Sequence, residues 1–507
     1  MDDVEDALGQ LATRIRALGC VPEIRVRLGR RSFRELPFLK LAAAVEDLLA
    51  HARAGTAADS IAAELNYVRA TAESCDKAVD DVFVRLEATG VSIALVYDLE
   101  RLRAQLRRLD LLLEVWGDPR FSPPRILAFL ADVVRENHAR RSLRGLVAQN
   151  LRLFTESLVE RNAEAGTHYS ARTPRGYVGM LGRAAGGGAL TAVTTLLKLG
   201  LAGLALAGFF EGALAAANYA ASFVLMQLLG FTLATKQPAN TAPALAARMR
   251  ELRDPKHIAA LVDETVCLIR SQVAAIAGNL GLVVPAVLLL DALASLATGH
   301  SWIGPAKAEK TLASLSPLGG CWLFAAFTGV LLWASSLAAG WADNWFALHQ
   351  LRAALTERRF LRRLLGTVGA IRFARWMEHH VAGFAGNTTL GILLGMTPVV
   401  AEFFGLPLEV RHVTLSTGQL AAAVAALGTD ALFTRPFALA VLSIAGIGVL
   451  NLGVSFALAL AVAIRARAVR ATERGGFYRA LLDRLWHEPL SFVFPIGNAC
   501  APAEARN

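Results

Sequence analysis

The spacing of apolar residues along this chain changes character near residue 180. Before that point apolar positions recur in steps of three and four among charged ones, the signature of amphipathic helices. From Ala189 to Ile464 they form continuous runs of roughly 20, the length a helix needs to cross about 30 Å of hydrocarbon. The pattern predicts an all-α protein. An N-terminal soluble helical bundle over 1–180 is followed by a six-helix transmembrane domain over 185–470 and a tail over 471–507.

In the first part, helices are expected at about 3–18, 33–53, 57–88, 124–139 and 141–164, with Ser122-Pro123-Pro124 opening the fourth of these. The clearest helix runs from Val91 to Trp116. There Leu95, Leu99, Leu102, Leu106, Leu109 and Leu113 alternate in steps of four and three, a heptad seam, with Glu100, Arg101, Arg103, Arg107 and Arg108 on the wet faces. Three heptads are short for an independent coiled coil, so the seam is expected inside the bundle. The competing expectation is a protein partner bound through this N-terminal domain.

In the second part the spans are expected at about 189–207, 213–234, 273–293, 317–339, 381–404 and 437–464. Every second connection is rich in arginine. The loop after the fourth span carries Arg352, Arg358, Arg359, Arg362, Arg363, Arg372 and Arg375, whereas Ala294–Ser316 has only Lys307 and Lys310. Basic loops stay in the cytoplasm, so both termini are expected there. The same loops account for the net charge of +10, and no polyanion is needed to explain it. His412–Gly428 is apolar but too short and interrupted to span, which leaves a surface helix or a re-entrant half-helix. The acidic start, Met1-Asp-Asp-Val-Glu-Asp6, is unlike a secretory signal.

Two of the apolar runs open alike. Val273-Ala-Ala-Ile-Ala-Gly-Asn279 and Val381-Ala-Gly-Phe-Ala-Gly-Asn387 share five of seven positions, and Pro285 and Pro398 lie within the runs that follow. With the expected topology this would be a parallel repeat, segments three and four echoed by five and six. Composition adds that the chain is 54% hydrophobic and 19% charged, too apolar for an ordinary soluble enzyme.

Candidate chemistry is sparse. Lys198 falls in the middle of the first span, where a charge costs about 2.5–3.5 kcal/mol and should face the bundle interior or a wet cavity. Glu211, Asp291 and Glu402, near span ends, are its candidate partners. Asn279 and Asn387, at matching depth, either bond across a pseudo-axis, line a polar site, or act as interhelical glue contributing roughly 0.6–2 kcal/mol each. Asn218, Gln227 and Asn451 read as glue as well. Gly208-x-x-x-Gly212 and Gly391-x-x-x-Gly395 permit close helix approach. Adjacent histidines such as His379-His380 point in different directions along a helix and make a poor metal clamp. The five cysteines (Cys20, Cys75, Cys267, Cys321, Cys500) show neither zinc spacing nor a disulfide framework. No metal and no cofactor is implied.

The stretch from Glu211 to Leu245, with Thr235-Lys-Gln-Pro-Ala239 inside it, resembles a bacterial membrane-protein family that carries the name site-specific recombinase. Glu160-Arg-Asn-Ala-Glu-Ala-Gly-Thr-His-Tyr169 and His380–Asn387 resemble other blocks of the same family, and the resemblance runs over about 140–470. It implies six spans in a bacterial inner membrane. Strand exchange would need a tyrosine nucleophile beside an Arg, Lys and His cluster. The nearest string is His138-Ala-Arg-Arg141 with Tyr169 and Tyr177 downstream, and the surrounding signature is missing. A serine recombinase or carboxylate-triad integrase would need an α/β domain that an all-helical soluble part does not supply. The residues therefore argue against DNA and leave the lipid bilayer as the one firm partner. Three functions stand open: a membrane scaffold or envelope factor, a transporter or channel around Lys198, Asn279 and Asn387, and the recombinase of the family name.

Overall fold

The computed structural model describes residues 2–29, 33–89, 92–117, 173–204, 206–233, 255–466 and 471–495, with Ala131 and Leu245 besides. Among the described residues all regular structure is helical, with no strand. The helices expected at 124–139 and 141–164, the string at 138–141, the block at 160–169 and the basic loop from Lys236 to Arg253 lie outside the described residues. The chain divides into two compact units, residues 1–157 with 344–354, and residues 158–343 with 355–507.

The first unit contains α1 (Asp2–Gly19), α2 (Pro22–Arg27), α3 (Pro37–Arg53), α4 (Ala58–Thr89) and α5 (Ile93–Gly117). Its core collects Leu8 and Ile15 from α1, Phe38, Leu41 and Leu48 from α3, Val68, Val79 and Val82 from α4, and the whole leucine seam of α5. Leu99, Leu102, Leu109 and Leu113 are fully buried, and Leu95 and Leu106 nearly so. A seam spent on the core is not available to a partner. Arg103, on the wet side of α5, pairs with Asp80 and lies over the Phe83 ring at 4.5 Å from its centroid.

Cys75 is in the same core, where burial pushes its thiol up, away from the reactive thiolate. Cys20 is half-buried; burial raises its pKa too, opposed by Arg16 and Arg25. Alkylation of the native protein with iodoacetamide near pH 8 is thus expected to modify Cys20 well before Cys75, with Cys75 reacting only once denaturant opens the bundle. Peptide mass spectrometry reads this directly; early modification of Cys75 would contradict the packing.

The rest of the chain forms α6 (Pro174–Leu201), α7 (Gly208–Leu228), α8 (Pro255–Thr298), α9 (Pro305–Ser314), α10 (Cys321–Leu348), α11 (Leu351–Glu357), α12 (Arg359–Phe403), α13 (Val413–Leu427), α14 (Arg435–Ala466) and α15 (Ala471–His487), all in the second unit except the end of α10 from residue 344 and the start of α11 to residue 354. Six of these, α6, α7, α8, α10, α12 and α14, are long and apolar enough to cross a membrane. The helix of the first apolar run starts at Pro174 because Thr173 caps it, its hydroxyl oxygen accepting from the Gly176 amide at 3.1 Å. It ends at Leu201 rather than near Ala207. Within α12 the backbone breaks at Gly366 (φ 70°, ψ 174°), a left-handed conformation that glycine tolerates.

Glycine sets the helix pairs. α6 lies along α8, and α7 along α12. A Cβ on Gly188 would collide with the Asn279 carbonyl, and one on Gly278 with the Leu181 carbonyl, so the α6 and α8 backbones touch. Gly391 and Gly395 bring α12 equally close to the Ala220 and Ala216 amides of α7. Gly208, the outer member of the other small-residue pair, faces open space, and only Gly212 packs. The repeated heptapeptide thus lies against two different helices, α6 in the first copy and α7 in the second.

Cys267 is disulfide-bonded, its partner lying outside the described residues. This corrects the expectation of unpaired cysteines; spacing along the chain carries no information on which distant thiols meet. Cys20, Cys75 and Cys321 are free.

Candidate functional site

The centre of the second unit is α13, a helix of about 22 Å at 1.5 Å per residue, preceded by non-helical chain over 406–412. Its first ten residues are buried except Gln419, and it packs against α6, α8, α9 and α14. A surface helix would leave one face wet. The two ends of this loop differ in depth. Phe403 and Phe404, where α12 finishes, and Phe433, before α14, are exposed, whereas Arg411 and His412 at the start of α13 are buried. That start is pinned by Asn451, whose Oδ1 accepts from the Val413 amide at 3.0 Å and whose Nδ2 donates to the Arg411 and Ala325 carbonyls at 3.0 and 2.9 Å. The Thr328 hydroxyl oxygen accepts from the Arg411 amide at 2.9 Å. Asn451 lies about 24 Å along α14 from Arg435 at the helical rise. Of the two readings open for 412–428, this burial of α13 argues against the surface helix.

A cavity of about 180 Å³ opens beside α13, and three of the sequence-derived candidates meet there. Lys198 comes from the last turn of α6, Glu211 from the first turn of α7, and Glu402 from the end of α12. Tyr219 of α7 and His412, Ser416 and Gln419 of the 412–427 segment complete the polar lining. Lys198 and Glu211 are half-buried and Glu402 is exposed at the mouth. Close packing of Gly212 on Val399 and Gly395 holds the α7 and α12 walls together. The cavity therefore gathers one ammonium and two carboxylates among largely apolar helices.

The remaining candidates go elsewhere. Asn279 is fully buried and donates from Nδ2 to the Ala184 and Thr232 carbonyls at 2.7 and 2.9 Å, with the Thr414 hydroxyl 3.5 Å from its Oδ1. Asn387 donates to Gln227 Oε1 at 2.8 Å. The two asparagines do not bond to each other, and neither lines the Lys198 cavity. Asn218 and Gln227 also bond across helices, to the Thr194 and His380 carbonyls. Asp291 is no partner of Lys198. It accepts from the Ser301 hydroxyl and the Trp302 amide at 3.1 and 2.8 Å, anchoring the loop after α8. From that loop Trp302 Nε1 and, from α9, Lys307 Nζ donate to the Leu196 and Leu199 carbonyls at 2.7 and 2.8 Å, satisfying C-terminal carbonyls of α6.

Lys307 is a residue the sequence reading passed over as a mere loop charge. Burial pushes its ammonium below the ordinary lysine range, Glu211 pulls it back up and Lys198 pushes it down, so it belongs to the electrostatics of the cavity. His412 and Gln419 were also missed; their only signal was a stretch of polar residues with no charged face, Thr414, Ser416, Thr417 and Gln419. His379 and His380 each place Nδ1 against the carbonyl four residues back, and His380 stacks on Trp376. Among the described residues no group of His, Cys, Asp or Glu could hold a metal ion.

A family model described as site-specific recombinase matches residues 1–495, further in both directions than the blocks that carry the resemblance. No curated protein and no solved structure matches the chain.

Proposed function

Because the chain belongs to the site-specific recombinase family and holds six helices able to cross a membrane, we propose that it is a multi-pass inner-membrane protein that moves a small ion or polar solute through the Lys198 cavity. One observation carries this reading. A re-entrant half-helix brings His412, Ser416 and Gln419 to the same cavity as Lys198, Glu211 and Glu402. Non-helical backbone at membrane depth is tolerated where it is buried in protein or lines an aqueous cavity, and broken helices build the solute sites of transporters. The asparagines, first considered part of such a path, act as glue between helices; the carboxylates take their place. The scaffold reading loses the leucine seam on which it rested, since those side chains form the bundle core. A serine recombinase or carboxylate-triad integrase finds no support in the described residues, which form no strand, and the tyrosine-type string at 138–141 with Tyr169 lies outside them. On the positive-inside argument both termini face the cytoplasm and the cavity mouth faces the other side.

The test is flux in proteoliposomes made with the full-length protein, read with internal pH and potential-sensitive dyes under imposed gradients. Lys198→Met and Glu211→Gln are each expected to reduce the wild-type flux by about tenfold or more, the scale of one lost charged interaction at a buried site. Asn387→Ala, a change in glue, should lower stability and leave the flux of the folded fraction unchanged. Salt-sensitive DNA binding with covalent capture of a strand by the wild-type protein, and no flux, would overturn the proposal.

A further inference from the structure

The Lys198 cavity holds charges of both signs that do not neutralise one another. Lys198 lines it from α6, Glu211 from α7 and Glu402 from α12. Among the described residues, no hydrogen bond or ion pair engages any of these three side chains, so the ammonium and the carboxylates share one space without touching. Their charged neighbours are committed elsewhere. Lys307, whose ammonium feels both Glu211 and Lys198, keeps its Nζ on the Leu199 carbonyl at 2.8 Å. Asp291 accepts from Ser301 and Trp302. The first turn of α13 lies on the same wall through Leu415 and Ser416, and the start of a helix adds positive potential there. The space, about 180 Å³, equals that of roughly six water molecules at about 30 Å³ each.

A solute of one sign suits this cavity poorly. An anion would meet Lys198 and be repelled by two carboxylates, and a cation would satisfy the carboxylates and leave Lys198 unpaired beside it. A molecule that carries both signs gains a charge-assisted contact at each end. We infer that the cavity is a binding site for a small zwitterion of the amino-acid type. Its carboxylate accepts from Lys198 near the start of α13, and its ammonium donates to Glu211, with Glu402 at the mouth on the same side of the charge balance. The volume restricts the class to its smallest members, those of the size of alanine. The inference rests on the reading of this cavity as a solute path and names the solute class.

The experiment measures binding of tritiated L-alanine and β-alanine to the full-length protein in phosphatidylcholine nanodiscs, with ethylamine and propionate as competitors. Removing the carboxylate from either zwitterion gives ethylamine, and removing the ammonium gives propionate, so each competitor lacks one contact. The better zwitterion should bind saturably and about tenfold or more tighter than both competitors, the scale of one hydrogen bond to a charged group. Lys198→Met should cut the advantage over ethylamine about tenfold and keep the advantage over propionate; Glu211→Gln should do the converse. These are ratios within one protein, so a smaller folded fraction does not alter them. Ethylamine binding as tightly as the zwitterions, variants that shift every ligand alike, or no saturable binding of either zwitterion would overturn the assignment. Zwitterion binding without any flux in proteoliposomes would remove the transport reading and leave the assignment standing. Ion flux without zwitterion binding would do the reverse.

Discussion

Asn451→Leu is expected to destabilise the membrane half more than any other polar-to-apolar change of similar size within it. The side chain is fully buried and makes three hydrogen bonds, one accepted from Val413 and two donated to Ala325 and Arg411. Leucine fills the volume and leaves the Val413 amide and the Arg411 carbonyl without these partners. Both belong to the turn that opens the re-entrant helix, where no neighbouring turn of helix can replace them. An orphaned buried group costs about 1–3 kcal/mol, so a loss of about 2–6 kcal/mol follows for the pair. Thermal unfolding of the purified protein in detergent should show a clear fall in midpoint. Asn451→Asp, which keeps the acceptor for Val413, should fall between the two. Val449→Leu, two residues away and 71% exposed, serves as the neutral reference. A midpoint for Asn451→Leu equal to that reference would mean that the descent from 406 to 412 is held by something other than this side chain.

Much of the architecture was legible because two periodicities carry it. Runs of about 20 apolar residues mark the six long helices, and the steps of four and three from Leu95 to Leu113 mark a buried face. The re-entrant helix was legible only as an ambiguity. A stretch of 15 uncharged residues has the length of a surface helix, and what distinguishes it is the lack of any charged face from Val413 to Leu427. The site was half legible. Lys198, Glu211 and Glu402 stand out as charges in apolar surroundings, but nothing in their spacing says that the ends of α6, α7 and α12 meet. That is fixed by glycine contacts between helices distant in sequence. Asp291 looked equivalent to the two glutamates and differs only because the loop after α8 folds back onto it. The matched asparagines misled for a related reason: heptapeptides alike at five of seven positions pack against different helices, so equal depth does not imply a shared site.

Those glycine contacts yield the second large effect, in which the same substitution changes sign with position on one helix. Gly182→Ala on α6 puts a methyl group into open space, and the gain in helix propensity, about 1 kcal/mol for glycine to alanine, should leave the protein unchanged or more stable. Gly188→Ala, six residues on, drives the same methyl into the carbonyl oxygen of Asn279. That oxygen belongs to the backbone of α8, so no rotamer change relieves the clash; the helices must separate. Overpacking of this kind costs typically 1–3 kcal/mol, and separation also stretches the Asn279 hydrogen bonds to Ala184 and Thr232. Alanine at 188 should therefore lower the melting midpoint despite its better propensity. Gly188→Leu is expected to leave little folded protein after detergent extraction, measured by size-exclusion recovery. Gly391→Ala repeats the experiment on the α7–α12 pair, where the methyl meets the Ala220 backbone. If alanine at 182 and at 188 shifted the midpoint alike, the close approach of α6 to α8 would be refuted. With it would go the placement of Lys198 at the end of α6 beside the re-entrant helix.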